Sequence, residues 1–332
     1  MKSAKKLLLC LVLASFVCSL ASVAFAGPIV IKYSHVVAEN TPKGQMGIKL
    51  KELVDERLKG KVVVEVFPNS QLFDDDKVLS AMLLGDVQLA APALSKFEKF
   101  TKKLQIYDLP FLFRDMAAID RFQQGPYGQK LLESMKDKGI LGLGYMHNGL
   151  KQMSSNDPLK TPGDAKGKKF RIMQSDVLQA QFETLDAVPL KAPFSEVFTL
   201  LQTKAIDGQE NSWSNIYSKK FHEVQPYITE TNHGVLDYML VTSVEFWNSL
   251  PADVKPVLKK CIDEAVAHNN KVSDAKSTED KKKILDSGRT TIIELTDAEK
   301  DKWADAMKPV WKKFEGDIGT EMLDAALASN KK

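Results

Sequence analysis

The sequence has few of the features that cross-link a small exported protein or anchor a protein in a membrane. It contains three cysteines in 332 residues, and two of them, Cys10 and Cys18, lie in an N-terminal segment that we expect to be removed. Cys261 would then remain alone, so the mature chain can form no intrachain disulfide. We expect Cys261, which lies in a helical pattern, to be a buried apolar residue. The composition, 44% hydrophobic and 27% charged, argues against disordered, collagen-like and polytopic membrane proteins.

An excess of charge of one sign is also missing. The chain has 46 Lys and Arg residues against 43 Asp and Glu residues. Three of the lysines, Lys2, Lys5 and Lys6, belong to the N-terminal segment, and their removal leaves 43 basic residues against 43 acidic ones. A neutral protein has no overall field that attracts a polyanion. We therefore expect no nucleic-acid partner, although a local basic pocket remains compatible with this balance.

The motifs of the common enzyme classes are absent or incomplete. His222-Glu223 begins like a zinc-binding helix, but no second histidine follows four residues on, and Pro226 would break the helix. Gly142-Leu143-Gly144 lacks the third glycine of a dinucleotide site, and residues 163–169 lack the spacing of a phosphate loop. No G-x-S-x-G sequence is present. We expect neither catalysis nor a cofactor nor a metal site, and an exported enzyme whose catalytic residues meet only in space is the alternative.

The N-terminus is typical of a secretory signal peptide. Residues 1–6 carry three lysines, residues 7–17 are almost wholly apolar, and Ala24-Phe25-Ala26 offers the small residues that a signal peptidase requires. We predict cleavage after Ala26 and export to the periplasm. The alternative is an uncleaved membrane anchor, because residues 7–26 are about as long as a bilayer span.

The remaining chain alternates between strand and helix patterns. Residues 28–33 and 61–67 alternate like strands, and a helical spacing of apolar residues from Thr41-Pro42 separates them. This order predicts a parallel sheet covered by helices. The pattern restarts near Lys151, and a helical stretch from Pro251 to Gly288 is long enough to span two domains. Residues 227–242 are long enough to run from one domain back into the other, and residues 296–299 (TDAE) fit a capping box that opens one C-terminal helix. We predict an α/β fold with domain I formed by 27–148 plus 237–276 and domain II by 149–236 plus 277–332.

Polar and aromatic residues follow several predicted strands. In open α/β sheets, side chains just beyond the carboxyl ends of strands point into the ligand crevice. An arginine in such a place binds a carboxylate through two parallel hydrogen bonds. The candidates for a ligand cleft are His35, Asn148, Lys151, Arg171, Phe194, Asn211 and Trp213.

Around these candidates the sequence resembles the solute-binding proteins of tripartite ATP-independent periplasmic (TRAP) transporters, especially those for four-carbon dicarboxylates. The resemblance covers essentially the whole mature chain. Six segments carry it in the family's order: 33–44 (YSHVVAENTPKG), 66–72 (VFPNSQL), 109–111 (LPF), 167–171 (GKKFR), 193–197 (PFSEV) and 207–211 (DGQEN). The resemblance implies a two-domain periplasmic binding protein fold with a central ligand cleft, hinge strands and a long domain-spanning helix. It also implies a small organic anion as ligand and integral-membrane TRAP permease subunits as partners, without ATP hydrolysis.

The resemblance also implies roles for individual residues. Arg171 occupies the position of the family's carboxylate-binding arginine, and Asn211 that of the asparagine that binds the same carboxylate. Lys151 stands where the family commonly has a second arginine; lysine keeps the charge but loses the planar fork. Phe194 matches an aromatic residue that packs on the ligand. Further residues expected to line the cleft are His35, Lys43, Ser95, Asn148, Trp213 and Tyr238.

Each assignment has a structural alternative. Arg171 would instead form a structural ion pair, His35 would be a hydrogen-bonded core histidine, and Lys43 would be solvated in the first turn of a helix. Trp213 and Tyr238 would be core aromatics. The solute has alternatives too: a basic residue such as Lys43 at the distal end of the cleft favours a dicarboxylate such as succinate, malate or fumarate, and an apolar wall favours an aromatic, keto or sugar acid. A sensory receptor would need the same closed surface as a transport receptor.

Overall fold

The computed structural model describes residues 27–331, and the predicted signal peptide lies outside this range. The described chain forms two β-sheets, which we call the first and the second sheet, with helices packed around both. The strands are β1 (Ile29–Ser34), β2 (Val62–Phe67), β3 (Leu89–Ala90), β4 (Ile140–Leu150), β5 (Gln152–Ser155), β6 (Lys169–Ile172), β7 (Val188–Lys191), β8 (Gly208–Asn211), β9 (Tyr227–Glu230), β10 (Val235–Ser243) and β11 (Thr291–Glu294).

The helices connect and cover these strands. They are α1 (Pro42–Arg57), α2 (Asp75–Leu83), α3 (Met116–Gln124), α4 (Pro126–Glu133), α5 (Asp176–Thr184), α6 (Val197–Gln202), α7 (Trp213–Ser218), α8 (Val244–Ser249), α9 (Lys255–Asp286), α10 (Asp297–Met307), α11 (Pro309–Ile318) and α12 (Thr320–Ser329). None of the helices within 27–331 combines the length and the apolar character that a membrane span requires.

The first sheet has the strand order β2-β1-β3-β10-β4. β1 pairs in parallel with β2 and β3, as the predicted strand–helix–strand order requires. β10 is antiparallel to both β3 and β4, because it re-enters this sheet from the opposite direction after the chain has built most of the second sheet. The first sheet is therefore mixed, whereas the sequence patterns predicted a parallel one.

The second sheet has the order β11-β9-β5-β8-β6-β7. Only Lys151 separates β4 from β5, and four residues separate β9 from β10, so the chain passes between the sheets through two short links. The segment from Tyr227 to Thr242 does run from one sheet to the other, as its length predicted. These links are the natural positions for a hinge, because each is a short connection between the two sheets.

Helix α9 joins the two halves of the molecule. It contains 32 residues, or about 48 Å at 1.5 Å per residue, and packs against α1 and β4 on one side of the hinge and α7 on the other. Its apolar residues include Cys261, which is buried with a free thiol. The predicted long helix is confirmed, although it begins at Lys255 rather than at Pro251.

The helix start at Thr296 follows the predicted capping box. Glu299 N–H donates to Thr296 Oγ1 at 3.3 Å, and Thr296 N–H donates to Glu299 Oε2 at 2.8 Å. This exchange satisfies two backbone donors that a helix N-terminus otherwise leaves without partners. The predicted C-terminal helix is in fact three helices, α10 to α12, and α12 packs against α3 near the first sheet. The assignment of residues 277–332 to domain II stays a prediction.

A buried histidine fixes β4 beside β10 near the hinge. His147 Nδ1 lies 2.7 Å from Asp237 Oδ2, and its Nε2 lies 3.5 Å from Asp120 Oδ1. Burial alone would lower the pKa of His147, but the two carboxylates outweigh burial and raise it to about 9. The ring is therefore charged at neutral pH and stabilises the packing of α3 on β4 and β10.

This arrangement predicts a loss of stability in mild alkali. Because the folded pKa of His147 lies above its usual value of 6.5, its contribution is complete below pH 6.5 and is lost as the pH rises through about 9. We expect the free energy of unfolding, measured by urea denaturation, to fall across this window in the wild type. His147→Asn keeps a neutral donor near Asp237, so its free energy of unfolding should depend less on pH. The same pH dependence in both proteins would contradict the assignment.

Candidate functional site

A small cavity lies between the two sheets. Its lining residues come from both halves of the molecule: Val36, Asp75, Ala93, Lys96, Leu236 and Tyr238 from the side of the first sheet, and Arg171, Met173, Phe194, Asn211 and Asn215 from the side of the second. A wider groove of about 440 Å³ lies beside α9, but its cation, Lys281, is paired with Glu230 and Glu294. We place the candidate site in the smaller cavity because it contains a buried arginine.

Arg171 lies in β6 with only 1% of its surface exposed. Its Nε and Nη2 donate to the carbonyl oxygen of Ala192 at 2.9 and 2.8 Å. These bonds use one edge of the guanidinium. The N–H groups of Nη1 and the second N–H of Nη2 stay available to donate hydrogen bonds to a ligand. Burial lowers the pKa of Arg171 to about 10 despite the nearby carboxylates, and the group remains a cation at neutral pH.

Arg171 does not form the structural ion pair that was its alternative. Within residues 27–331, no carboxylate lies within 4.0 Å of its guanidinium nitrogens. A buried charge without a partner costs several kcal/mol. The arrangement therefore favours binding of an anion, and a planar carboxylate fits the free end of the fork through two parallel hydrogen bonds.

Phe194 and Asn211 lie beside Arg171. The Phe194 ring centroid is 5.9 Å from Arg171 Cζ, and the ring packs edge-on against Phe221. Asn211 ends β8, where its Oδ1 accepts a hydrogen bond from Asn215 Nδ2 at 2.8 Å. This contact fixes the orientation of the Asn211 side-chain amide at the cavity wall.

The glycine of the D-G-Q-E-N segment explains how Asn211 reaches this place. A Cβ on Gly208 would lie 2.1 Å from the carbonyl oxygen of Ser154 and 2.6 Å from the Phe170 ring. Only glycine therefore lets β8 approach β5 and β6 closely enough to pair with both. The close pairing sets the register that leaves Asn211 at the end of the strand.

On the opposite wall, Tyr238 lines the cavity and Lys43 lies behind it. Lys43 Nζ donates to the carbonyl oxygen of Ala91 at 2.8 Å and lies 3.5 Å from the centroid of the Tyr238 ring. Lys43 is 1% exposed, so the solvated alternative is wrong. Burial lowers the pKa of Lys43 to about 8, and its ammonium is not among the groups that line the cavity.

His35 and Asn148 also lie behind the cavity wall. His35 is 1% exposed, and neither ring nitrogen has a hydrogen-bond partner within the described residues. Burial and the charge of Lys43 lower the pKa of His35 to about 3, so the ring is neutral. Asn148 Nδ2 donates to Tyr238 Oη and to Ser212 Oγ, both at 2.8 Å. Asn148 thus positions the Tyr238 hydroxyl rather than lining the cavity itself.

The structure places three other candidates away from the cavity wall. Ser95 donates to Asp108 Oδ1 at 2.5 Å, and Trp213 lines the groove beside α9. Lys151 is fully buried, and its Nζ lies 2.8 Å from Glu210 Oε2. His233 Nε2 is 2.8 Å from the same oxygen. We call Lys151, Glu210 and His233 the buried charge cluster.

The buried charge cluster contains an ion pair between Lys151 and Glu210. Burial alone would raise the pKa of Glu210, but the Lys151 ammonium and the hydrogen bond from His233 outweigh burial and lower it to about 2. Burial lowers the pKa of His233 in spite of the carboxylate, so His233 donates as a neutral ring. The cluster connects the link between β4 and β5 to β8.

Direct contacts close the mouth of the cavity. Ser195 Oγ, which follows Phe194, donates to Asp74 Oδ2 at 2.6 Å across the cleft. Lys219 Nζ donates to Asn69 Oδ1 at 3.1 Å. Because both contacts join segments that flank different sheets, they stabilise a closed arrangement of the two halves.

Comparisons with known proteins agree with this architecture. The sequence model of the bacterial extracellular solute-binding proteins, family 7, matches residues 33–317. The chain belongs to this family. A C4-dicarboxylate-binding periplasmic protein DctP from Shewanella loihica is 63% identical over 93% of this chain and 92% of its own length.

Solved structures of family members have the same fold. A TRAP periplasmic solute binding protein from Shewanella oneidensis with bound succinate has a TM-score of 0.91 and 62% identity, over 92% of this chain and all of that one. Another from Pseudomonas aeruginosa with bound L-malate has a TM-score of 0.84 and 45% identity, over 86% of this chain and all of that one. The predicted α/β fold of a two-domain TRAP solute-binding protein is confirmed.

For this family 7 protein, the sequence candidates include four residues that line the cavity: Arg171, Phe194, Asn211 and Tyr238. Sequence reasoning missed seven lining residues, which are Val36, Asp75, Ala93, Lys96, Met173, Asn215 and Leu236. The rule that ligand residues follow strand ends would have found Lys96, because it lies just after the apolar run that contains β3. Lys96 directly follows the selected Ser95.

Proposed function

We propose that the protein is the extracytoplasmic receptor of a TRAP transporter and that it binds a four-carbon dicarboxylate such as succinate, malate or fumarate. The observation that carries the proposal is the buried Arg171, whose free N–H groups border a cavity between the two sheets. The DctP relative and the succinate- and malate-bound family members support the same class of solute. They are binding proteins, which supports a receptor rather than an enzyme.

In the proposed binding mode, one carboxylate lies on the free end of the Arg171 fork. Each charge-assisted hydrogen bond there contributes about 1.5–3 kcal/mol. Asn211 lies beside this carboxylate, and Phe194 packs on the carbon chain. The distal carboxylate reaches the wall formed by the first sheet, so the solute contacts both halves of the molecule.

Bridging contacts of this kind couple binding to domain closure. A ligand shifts an equilibrium between an open and a closed state only through its different affinity for the two. A solute that contacts Arg171 and the opposite wall together gains both sets of contacts only in the closed state. The links between β4 and β5 and between β9 and β10 would act as the hinge, and α9 would bend.

We further propose that the chain is exported by its N-terminal signal, that cleavage follows Ala26, and that the closed receptor delivers its solute to integral-membrane permease subunits. The family description as extracellular and the periplasmic name of the DctP relative support export. N-terminal sequencing of the secreted protein should begin at Gly27; retention of residues 1–26 would contradict cleavage.

The experiment that tests the function is a thermal-shift screen of the mature chain against succinate, malate, fumarate, pyruvate and a panel of sugar, aromatic and keto acids. A ligand that binds only the native state stabilises it by about 2.7 kcal/mol at a hundredfold excess over Kd. We expect the four-carbon diacids to raise the Tm and the monocarboxylates to have smaller effects. A shift with sugar or aromatic acids alone would overturn the dicarboxylate assignment.

Small-angle scattering tests the closure. With the solute identified by the screen at saturation, we expect the radius of gyration to fall relative to the unliganded protein, because the two halves approach each other. Unchanged dimensions at saturation would contradict the hinge mechanism.

A further inference from the structure

Lys96 is a second cation on the wall of the same cavity. It lies in the short 3₁₀ segment Leu94–Phe97 that follows β3, whereas Arg171 lies in β6 of the other sheet. The Lys96 side chain is only 4% exposed. The two cations therefore face one cavity from opposite halves of the molecule.

The positive charge of Lys96 is only partly neutralised by its surroundings. Its Nζ lies 2.5 Å from Asp76 Oδ1, and the Asp76 side chain is 24% exposed and lies in the first turn of α2. Solvent and the helix N-terminus therefore also stabilise the Asp76 charge. Burial and, next, the positive charge of Arg171 lower the pKa of Lys96. Arg171 and Lys96 thus repel each other across the cleft when the molecule is closed.

Lys43, the distal base suggested by the sequence, is less suited to contact a solute. Its ammonium is held between the Ala91 carbonyl and the face of the Tyr238 ring. Asp75 is the one acidic side chain on the lining of the cavity within the described residues, and it would repel a dicarboxylate when ionised. Burial raises the pKa of Asp75, and the charges of Lys43 and Lys96 oppose that rise. A cation that faces the cavity is needed to offset this carboxylate.

We propose that Lys96 is the specificity-determining residue that distinguishes dicarboxylates from monocarboxylates. One carboxylate of a dianion neutralises Arg171 and the other neutralises Lys96, so the dianion converts the repulsion across the cleft into two attractions. A monoanion neutralises Arg171 alone and leaves Lys96 without a solute partner in the closed state. This inference rests on the proposed function, because it assigns the second end of the same solute.

The test compares succinate with succinamate, in which a neutral amide replaces one carboxylate at nearly the same size. Titration calorimetry of Lys96→Met should show succinate affinity reduced about 10- to 100-fold, which corresponds to the loss of one charge-assisted hydrogen bond. The affinity of Lys96→Met for succinamate should differ from that of the wild type by less than about threefold. Lys96→Arg keeps the charge and should preserve most of the preference for succinate.

The control variant is Lys99→Met, which removes an exposed lysine three residues away and should leave both affinities unchanged. An unchanged succinate affinity in Lys96→Met, or an equal loss for succinate and succinamate, would overturn the role of Lys96. Failure of the wild type to bind any four-carbon diacid would instead overturn the proposed function, and the role of Lys96 with it. The Tm of each variant without ligand separates a folding defect from a binding defect.

Discussion

Replacing Arg171 with alanine is expected to abolish detectable solute binding while the protein stays folded. The variant loses two charge-assisted hydrogen bonds to the carboxylate, together about 3–6 kcal/mol, which corresponds to a Kd raised about 10²- to 10⁴-fold. Arg171→Lys should recover only part of this affinity, because an ammonium cannot bond to Ala192 and present a planar fork to the solute at the same time.

Titration calorimetry with the solute found by the screen measures both variants, and circular dichroism checks their folding. Arg289→Ala is the matched control, because its side chain is 62% exposed, does not line the cavity and has a long 3.6 Å contact with Glu223. It should bind like the wild type. Wild-type affinity in both Arg171 variants would show that the carboxylate binds elsewhere.

Replacing Glu210 with glutamine should cause a large loss of stability. Lys151 has no exposed side-chain surface and Glu210 has 1%, so the substitution leaves the ammonium buried without its anion. Breaking a buried ion pair in this way costs about 3–5 kcal/mol. The free energy of unfolding, from urea denaturation of the variant and the wild type, gives the change directly.

A double variant separates the ion pair from other effects of the substitution. Lys151→Met combined with Glu210→Gln removes both charges and should be more stable than Glu210→Gln alone. Asp55→Asn is the matched control at the surface, since Asp55 and Lys51 are about half exposed and such pairs contribute about 0–1 kcal/mol. A loss below about 1 kcal/mol in Glu210→Gln would contradict the importance of the buried charge cluster.

Local sequence patterns predicted the parts of the fold that depend on local spacing. The β1-α1-β2 unit follows from a change of period in the apolar residues, and the start of α10 follows from Thr296 and Glu299. The antiparallel direction of β10 was missed, because strand direction depends on where the chain re-enters the sheet. The sequence predicted one C-terminal helix where the structure has three, because the helical spacing of apolar residues continues through the breaks at Lys308 and Gly319.

The site was harder to predict because pairing partners are distant in sequence. Lys151 and Arg171 both follow or lie in predicted strands, so the sequence treats them alike as cleft cations. In the structure Lys151 is paired with Glu210, 59 residues away, whereas the side-chain hydrogen bonds of Arg171 within residues 27–331 go to a backbone carbonyl. A sequence cannot show that Lys151 is buried away from the cavity, whereas Arg171 lines it. The ligand role of Lys151 stays a prediction.

The cavity between Arg171 and Lys96 should hold one four-carbon dicarboxylate. A crystal structure of the mature chain grown with succinate tests it most directly. We expect one carboxylate on Nη1 and Nη2 of Arg171, with Asn211 beside it, and the other carboxylate toward Lys96. Succinate bound in the groove beside α9, or bound in the cavity with neither carboxylate on Arg171, would contradict the account.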